Sequence, residues 1–135
     1  MKFRKLKSWK YQLTEPFHIA IGFHVESIET EFISLFGCDL FLKRYYAWDG
    51  ASGPFPDVAS VMKGSLVHDA LCQLIQLGLL DPSYRKLADL EFKRICLQSG
   101  MPRFWAQVVY LGVWIGSIFS NGPHPMSDSK VYELL

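Results

Sequence analysis

Cysteine is scarce in this chain of 135 residues, and none of it is patterned as a framework. Cys38, Cys72 and Cys96 are odd in number, widely spaced and without a C-x-x-C pair. That argues against a disulfide scaffold and against a zinc site, and predicts reduced, mostly buried thiols. An excess of one charge is lacking too. With 14 Lys and Arg against 13 Asp and Glu, no global electrostatic case exists for a nucleic-acid partner, and only local patches can be argued. No apolar run is long enough to span a bilayer. The longest uncharged one, 104–119, contains Gln107, Gly112, Gly116 and Ser117 and falls short of the ~20 residues required. A buried core helix is expected there, with an interfacial or partner-facing helix as the alternative. Nor does an apolar stretch follow the basic N-terminus, because Gln12, Thr14, Glu15 and Pro16 interrupt it, so no secretory signal is expected and the chain reads as cytoplasmic. No internal repeat is visible.

What is present is a core and a patch. Half of the residues are hydrophobic and a fifth are charged, which fits one compact α+β domain over 1–120 with a surface or flexible tail over 121–135. Lys2, Arg4, Lys5, Lys7 and Lys10 interleave with Phe3, Leu6 and Trp9. Such a segment is ordinarily a solvated terminus, but it also suits an anionic membrane surface, where each basic residue contributes on the order of 1 kcal/mol.

The first third predicts antiparallel strands. Residues 11–15 and then 17–23 alternate loosely, Ser27 to Leu35 places Ile28, Thr30, Phe32 and Ser34 on one face, and Asp39 to Trp48 is rich in Phe, Leu and Tyr. Gly22 and the Phe36–Gly37 step are the expected turns. The Gly- and Pro-dense stretch 49–57 propagates neither regular structure and reads as a shaped loop. Three helices are expected after it. The first runs from about Val58 to Leu77 and stops at Gly78. The second opens on Asp81–Pro82 and runs to Gln98, with Gly100 closing it. The third follows Met101–Pro102 and reaches Phe119.

Chemistry-bearing residues sit on the first two helices. His68 and Asp69 are sequence neighbours, about 100° apart around a helix, so each is expected to find its own partner. His68 lies near an apolar stripe of Leu71, Cys72 and Ile75, whereas Asp69 shares a polar stripe with Ser65, Gln73 and Gln76. An imidazole acting as a base needs its second nitrogen held by an acceptor. Asp89 suits that role, because the short 78–82 connection makes the two helices antiparallel neighbours. The bland alternative is a solvent-facing ion ladder of Asp89 with Arg85 and Lys93. Asp69, with Asp49 and carbonyls freed by the following loop, offers the oxygen ligands a hard cation such as calcium takes. A metal phosphohydrolase using His18 or His24 with His68, Asp69 and Asp89 is a further alternative.

Three ordered segments carry a family resemblance: 48–54 (WDGASGP), 65–72 (SLVHDALC) and 88–92 (ADLEF). Together they resemble the calcium loop, His-Asp helix and antiparallel Asp-bearing helix of secreted phospholipases A2, especially the microbial kind. The spacing of 21 from His68 to Asp89 is similar to the spacing in those enzymes. The resemblance implies His68 and Asp89 as the catalytic pair, with His68 the general base and Asp89 orienting it. It implies Asp69 and Asp49 as calcium ligands, with Gly50, Ser52 and Gly53 shaping the loop and Cys72 in a supporting place. The implied reaction is release of a fatty acid from the sn-2 ester of a phospholipid at a lipid interface. Two departures stand out. The disulfide joining loop to helix in the microbial enzymes has Ala51 and Ser65 in its places, and the Tyr three residues after the Asp of the His-Asp pair is Cys72. Over nearly its whole length the chain also resembles an uncharacterised family largely encoded by phages and prophages, which implies a location in the host cytoplasm or the virion. A non-catalytic accessory module binding another phage or host protein is therefore the competing expectation, with Trp9, Phe104, Trp105 and Trp114 as its surface.

Overall fold

The computed structural model describes residues 1–6, 11–50 and 59–119, with side chains up to Ile115. N-terminal antiparallel strands are followed by three helices, an α+β arrangement. Contacts group the chain into two compact units, one holding Met1–Asp49 and the other beginning at Gly50.

In the first unit, β1 (Phe3–Lys5), β2 (Tyr11–Leu13) and β5 (Ala47–Trp48) form an antiparallel sheet with β2 in the middle. Its centre is aromatic: the rings of Phe3, Tyr11 and Trp48 lie 5.6–5.7 Å apart. Gln12 can be buried there because its amide donates to the Tyr45 carbonyl and its oxygen accepts from Arg4 Nε at 2.8 Å.

β3 (Phe17–Glu29) and β4 (Ile33–Leu42) make a long hairpin. Phe17, Ile21 and Val25 are buried while His18, Ala20 and Gly22 are exposed, the period-two pattern of a half-buried strand. Three expectations are corrected here. Ser27 to Leu35 is not one strand but the end of the hairpin. Thr30 Oγ1 donates to the Ile33 carbonyl and accepts from the Ile33 amide at 2.9 Å, so the hydroxyl closes the turn and takes Thr30 out of the strand. Gly22 lies inside β3 and Gly37 inside β4, where it pairs with Val25 next to register shifts, so both glycines accommodate irregular pairing rather than reverse the chain. The 39–48 stretch is likewise two strands, parted at 43–46 where Tyr45 adopts φ 78°.

The helical unit follows the sequence more closely. α1 spans Ala59–Gln76, a short 3-10 turn covers Pro82–Tyr84, α2 spans Arg85–Gln98 and α3 spans Arg103–Phe119. α1 ends as expected at Gly78, whose φ of +76° lets the Leu79 amide reach back to the Leu74 carbonyl and the Gly78 amide to that of Ile75. Asp81 caps the 3-10 turn by accepting from the Ser83 amide at 2.8 Å. The core between the helices is built from Val61, Phe92, Cys96, Val109 and Val113, with Met101 against it.

Gly64 sets how closely α1 and α2 approach. A Cβ there would lie 2.8 Å from Phe92 Cδ1 and 3.2 Å from Cys96 Sγ, both on buried side chains. Gly64→Ala is therefore expected to destabilise the fold by about 1 kcal/mol net, the overpacking cost exceeding the helix-propensity gain. Urea unfolding reads this directly, and an unchanged or higher midpoint would show that the Phe92 ring yields freely.

α3 departs from the expected core helix. Ala106, Val109 and Val113 form a buried stripe, but Phe104 is 70% and Trp105 57% exposed, and Leu111, Trp114 and Ile115 are exposed as well. No helix among the described residues is long and apolar enough to cross a membrane.

Candidate functional site

The antiparallel pairing of α1 with α2 places residues of increasing number on one against decreasing number on the other. Gly64 meets Phe92 and Cys96, and one turn later His68 meets Asp89 and Phe92. His68 is 6% and Asp89 1% exposed. His68 Nε2 lies 2.6 Å from Asp89 Oδ1, a short charge-assisted hydrogen bond in which the ring nitrogen donates. The Phe92 ring, 5.4 Å from the imidazole centroid, walls the pair on the apolar side.

Asp89 is not part of a solvent-facing ladder. Arg85 Nε donates to the same Oδ1 at 3.2 Å, one turn before, whereas Lys93 turns away to Gln107 Oε1 at 2.6 Å. The carboxylate thus accepts from two side chains, one on each helix. In the sequence Arg85 stands out only through the ion-ladder alternative. Its i,i+4 spacing from Asp89 was the available signal, and what it lacked was knowledge that Asp89 points inward. Glu91 was missed altogether: it is buried and held by Arg94 Nη2 at 2.7 Å, an i,i+3 pair.

With Nε2 committed to Asp89, Nδ1 is the nitrogen left to take up a proton. Asp69 Oδ1 lies 3.8 Å from it, and Cys72 Sγ lies against the ring, 3.9 Å from Nδ1 and 3.7 Å from Nε2. This corrects the expectation that the neighbouring Asp69 carboxylate stays clear of His68, because the two side chains lean toward each other across the 100° step. The polar stripe around Asp69 is corrected as well. Ser65 and Gln73 are buried, and Ser65 can be because its hydroxyl donates to the Met62 carbonyl at 2.8 Å. Of the three cysteines only Cys96 is buried; Cys72 is partly exposed and Cys38 exposed.

Burial opposes the charged imidazolium, but the Cys72 sulfur and the Asp69 and Asp89 carboxylates outweigh it, and the His68 pKa is raised well above the ordinary 6.5. A group whose folded-state pKa is raised stabilises the fold fully below its unfolded value and loses that contribution as pH rises through the folded value. Stability is therefore expected to decline with pH from about 6.5 upward in the wild type and to lack that slope in His68→Gln. Denaturant midpoints measured across the range check it, and parallel curves for the two proteins would contradict it.

Asp49 is exposed at the end of the strand unit and Gly50, which opens the other unit, is buried, while Ser52, Gly53 and Trp9 lie outside the described residues. His18 is on β3, 3.2 Å from Asp39 Oδ1 and stacked on Phe41, and His24 is further along the same strand. No group of three or more His, Cys, Asp or Glu that can hold a metal ion exists among the described residues. Comparison with protein-family models, curated proteins and solved structures gives no match to this chain.

Proposed function

We propose that the chain hydrolyses acyl esters of phospholipids, with His68 as general base and Asp89 as the carboxylate that positions it. The observation supporting this is the 2.6 Å bond from His68 Nε2 to a carboxylate that is itself pinned by Arg85. In the neutral ring, which forms above the raised His68 pKa, that bond fixes the tautomer with Nδ1 unprotonated, orients the ring, and stabilises the imidazolium formed when Nδ1 takes the proton of the attacking nucleophile. Arg85 takes the place of the support a Tyr gives in the enzymes the sequence resembles, since Cys72 has no phenol to offer Asp89. The choice of phospholipid as substrate rests on the sequence resemblance. The calcium it implies would draw on Asp49 and the carbonyls of the 49–54 loop as well as Asp69, and no step above passes through it.

The test is fatty-acid release from sn-2-labelled phosphatidylcholine vesicles by the full chain. Release that is specific for the sn-2 chain and suppressed by chelation is the expected result, and no release with or without calcium overturns the reading.

A second reading, a partner- or membrane-docking module, is favoured by the apolar outer face of α3. Phe104→Ala with Trp105→Ala is expected to change stability by no more than about 0.5 kcal/mol, since both rings are largely in solvent. Vesicle co-sedimentation should fall in the same variant; retention at the wild-type level removes this face from lipid binding.

A further inference from the structure

The strand unit carries a groove of its own, at the seam where the long hairpin coils back on itself. The Lys43 amide, just past the end of β4, donates to the carbonyl of Phe32, just before its start, at 2.9 Å. Register shifts between Ala20 and Ile28 supply the extra twist that this coiling needs. Ser34 is thereby brought beside Leu42, and the seam leaves an open groove of about 560 Å³, a volume usual for small-molecule sites. We propose that this groove binds a phosphate monoester carrying a planar ring, with the size and charge of a nucleoside monophosphate.

Its walls are apolar, built from Pro16, Phe17, Phe41 and Leu42. The Phe41 ring is 41% exposed and held in place by His18, which stacks on it at 4.4 Å and 10° while its Nε2 is tied to Asp39 at 3.2 Å. An aromatic surface fixed in advance suits a planar partner. Lys43 and Arg44 line the same groove, and neither has a carboxylate partner among the described residues; the Arg44 guanidinium lies over the Tyr45 ring, 4.6 Å from its centroid. The nearby carboxylates are engaged elsewhere, Asp39 with His18 and Glu15 with Lys2. A phosphate monoester has close to two negative charges at neutral pH, which matches the two cations, whereas a carboxylate would match only one. Ser34 completes the site. It is only 8% exposed, it lines the groove, and its hydroxyl has no hydrogen-bond partner among the described residues. A buried hydroxyl left unpaired is costly, and a phosphate oxygen supplies the missing acceptor.

The experiment is isothermal titration calorimetry of the full chain with adenosine monophosphate, adenosine and glycerol 3-phosphate. Adenosine monophosphate is expected to bind saturably, and the other two, each lacking one half of the ligand, at least about tenfold more weakly. Replacing both cations, Lys43→Ala with Arg44→Ala, should weaken binding roughly 10–100-fold, and Ser34→Ala about tenfold. Both cations are exposed, so the double variant keeps the fold, which circular dichroism verifies. His68→Gln should bind as the wild type does, since the groove shares no residue with the helix pair. Absence of saturable binding by adenosine monophosphate overturns the proposal, as does binding undiminished in the double variant. Glycerol 3-phosphate binding as tightly as the nucleotide overturns the part given to the ring and assigns the groove to a lipid headgroup phosphate; adenosine binding as tightly overturns the part given to the cations.

Discussion

Asp89→Ala is expected to lower the stability of the fold by about 3–5 kcal/mol, the cost typical of removing one member of a buried ion pair. Two groups lose their acceptor at once. His68 Nε2, in an almost fully buried ring, loses its 2.6 Å bond, and Arg85 Nε loses the oxygen at 3.2 Å. The side chain removed is also packed beneath α1, so a cavity adds to the electrostatic loss. Asp89→Asn keeps the shape and one acceptor oxygen and should cost less, about 1–3 kcal/mol, as expected for a weakened buried hydrogen bond. Urea unfolding with a constant m-value separates the two. A loss below about 1 kcal/mol in Asp89→Ala would mean that the carboxylate is solvated in solution, as surface pairs are.

His68→Gln is expected to reduce ester hydrolysis by about 10²–10⁴-fold, the usual contribution of a positioned proton acceptor, while the protein stays folded. Glutamine is chosen because its amide nitrogen can still donate toward Asp89 Oδ1, so the carboxylate is not abandoned as it would be by alanine. What glutamine lacks is a basic atom in the place of Nδ1. The loss should therefore appear in kcat rather than in vesicle binding. Hydrolysis retained within a few-fold of wild type would assign the pair a structural role.

How far this was readable from the residues varies along the chain. The helical unit was legible because its signals are local: Gly78 for a left-handed stop, Asp81–Pro82 for a helix entry, and a 78–82 connection too short for anything but antiparallel neighbours. The pairing of His68 with Asp89 followed from those elements and the 21-residue spacing. The strands were harder. Residues 27–35 read as one strand because Ile28, Thr30, Phe32 and Ser34 keep an i, i+2 spacing straight through the turn that Thr30 Oγ1 closes. Whether Asp89 and Ser65 point inward depends on the helix–helix contact that Gly64 allows, and no single helix wheel contains it. The aromatic face of α3 was anticipated only as an alternative, since a composition of Phe, Trp, Leu and Val reads as core until the buried stripe of Ala106, Val109 and Val113 is seen to be sufficient by itself.

The proposed chemistry requires His68 and Asp89 to act as one unit. Rates of fatty-acid release from phospholipid vesicles, compared among wild type, His68→Gln, Asp89→Asn and the double variant, measure this most directly. If the two side chains are one proton-accepting device, the double variant is no slower than His68→Gln, because Asp89 has nothing left to position. Losses that multiply in the double variant, or a His68→Gln rate equal to wild type, would contradict it.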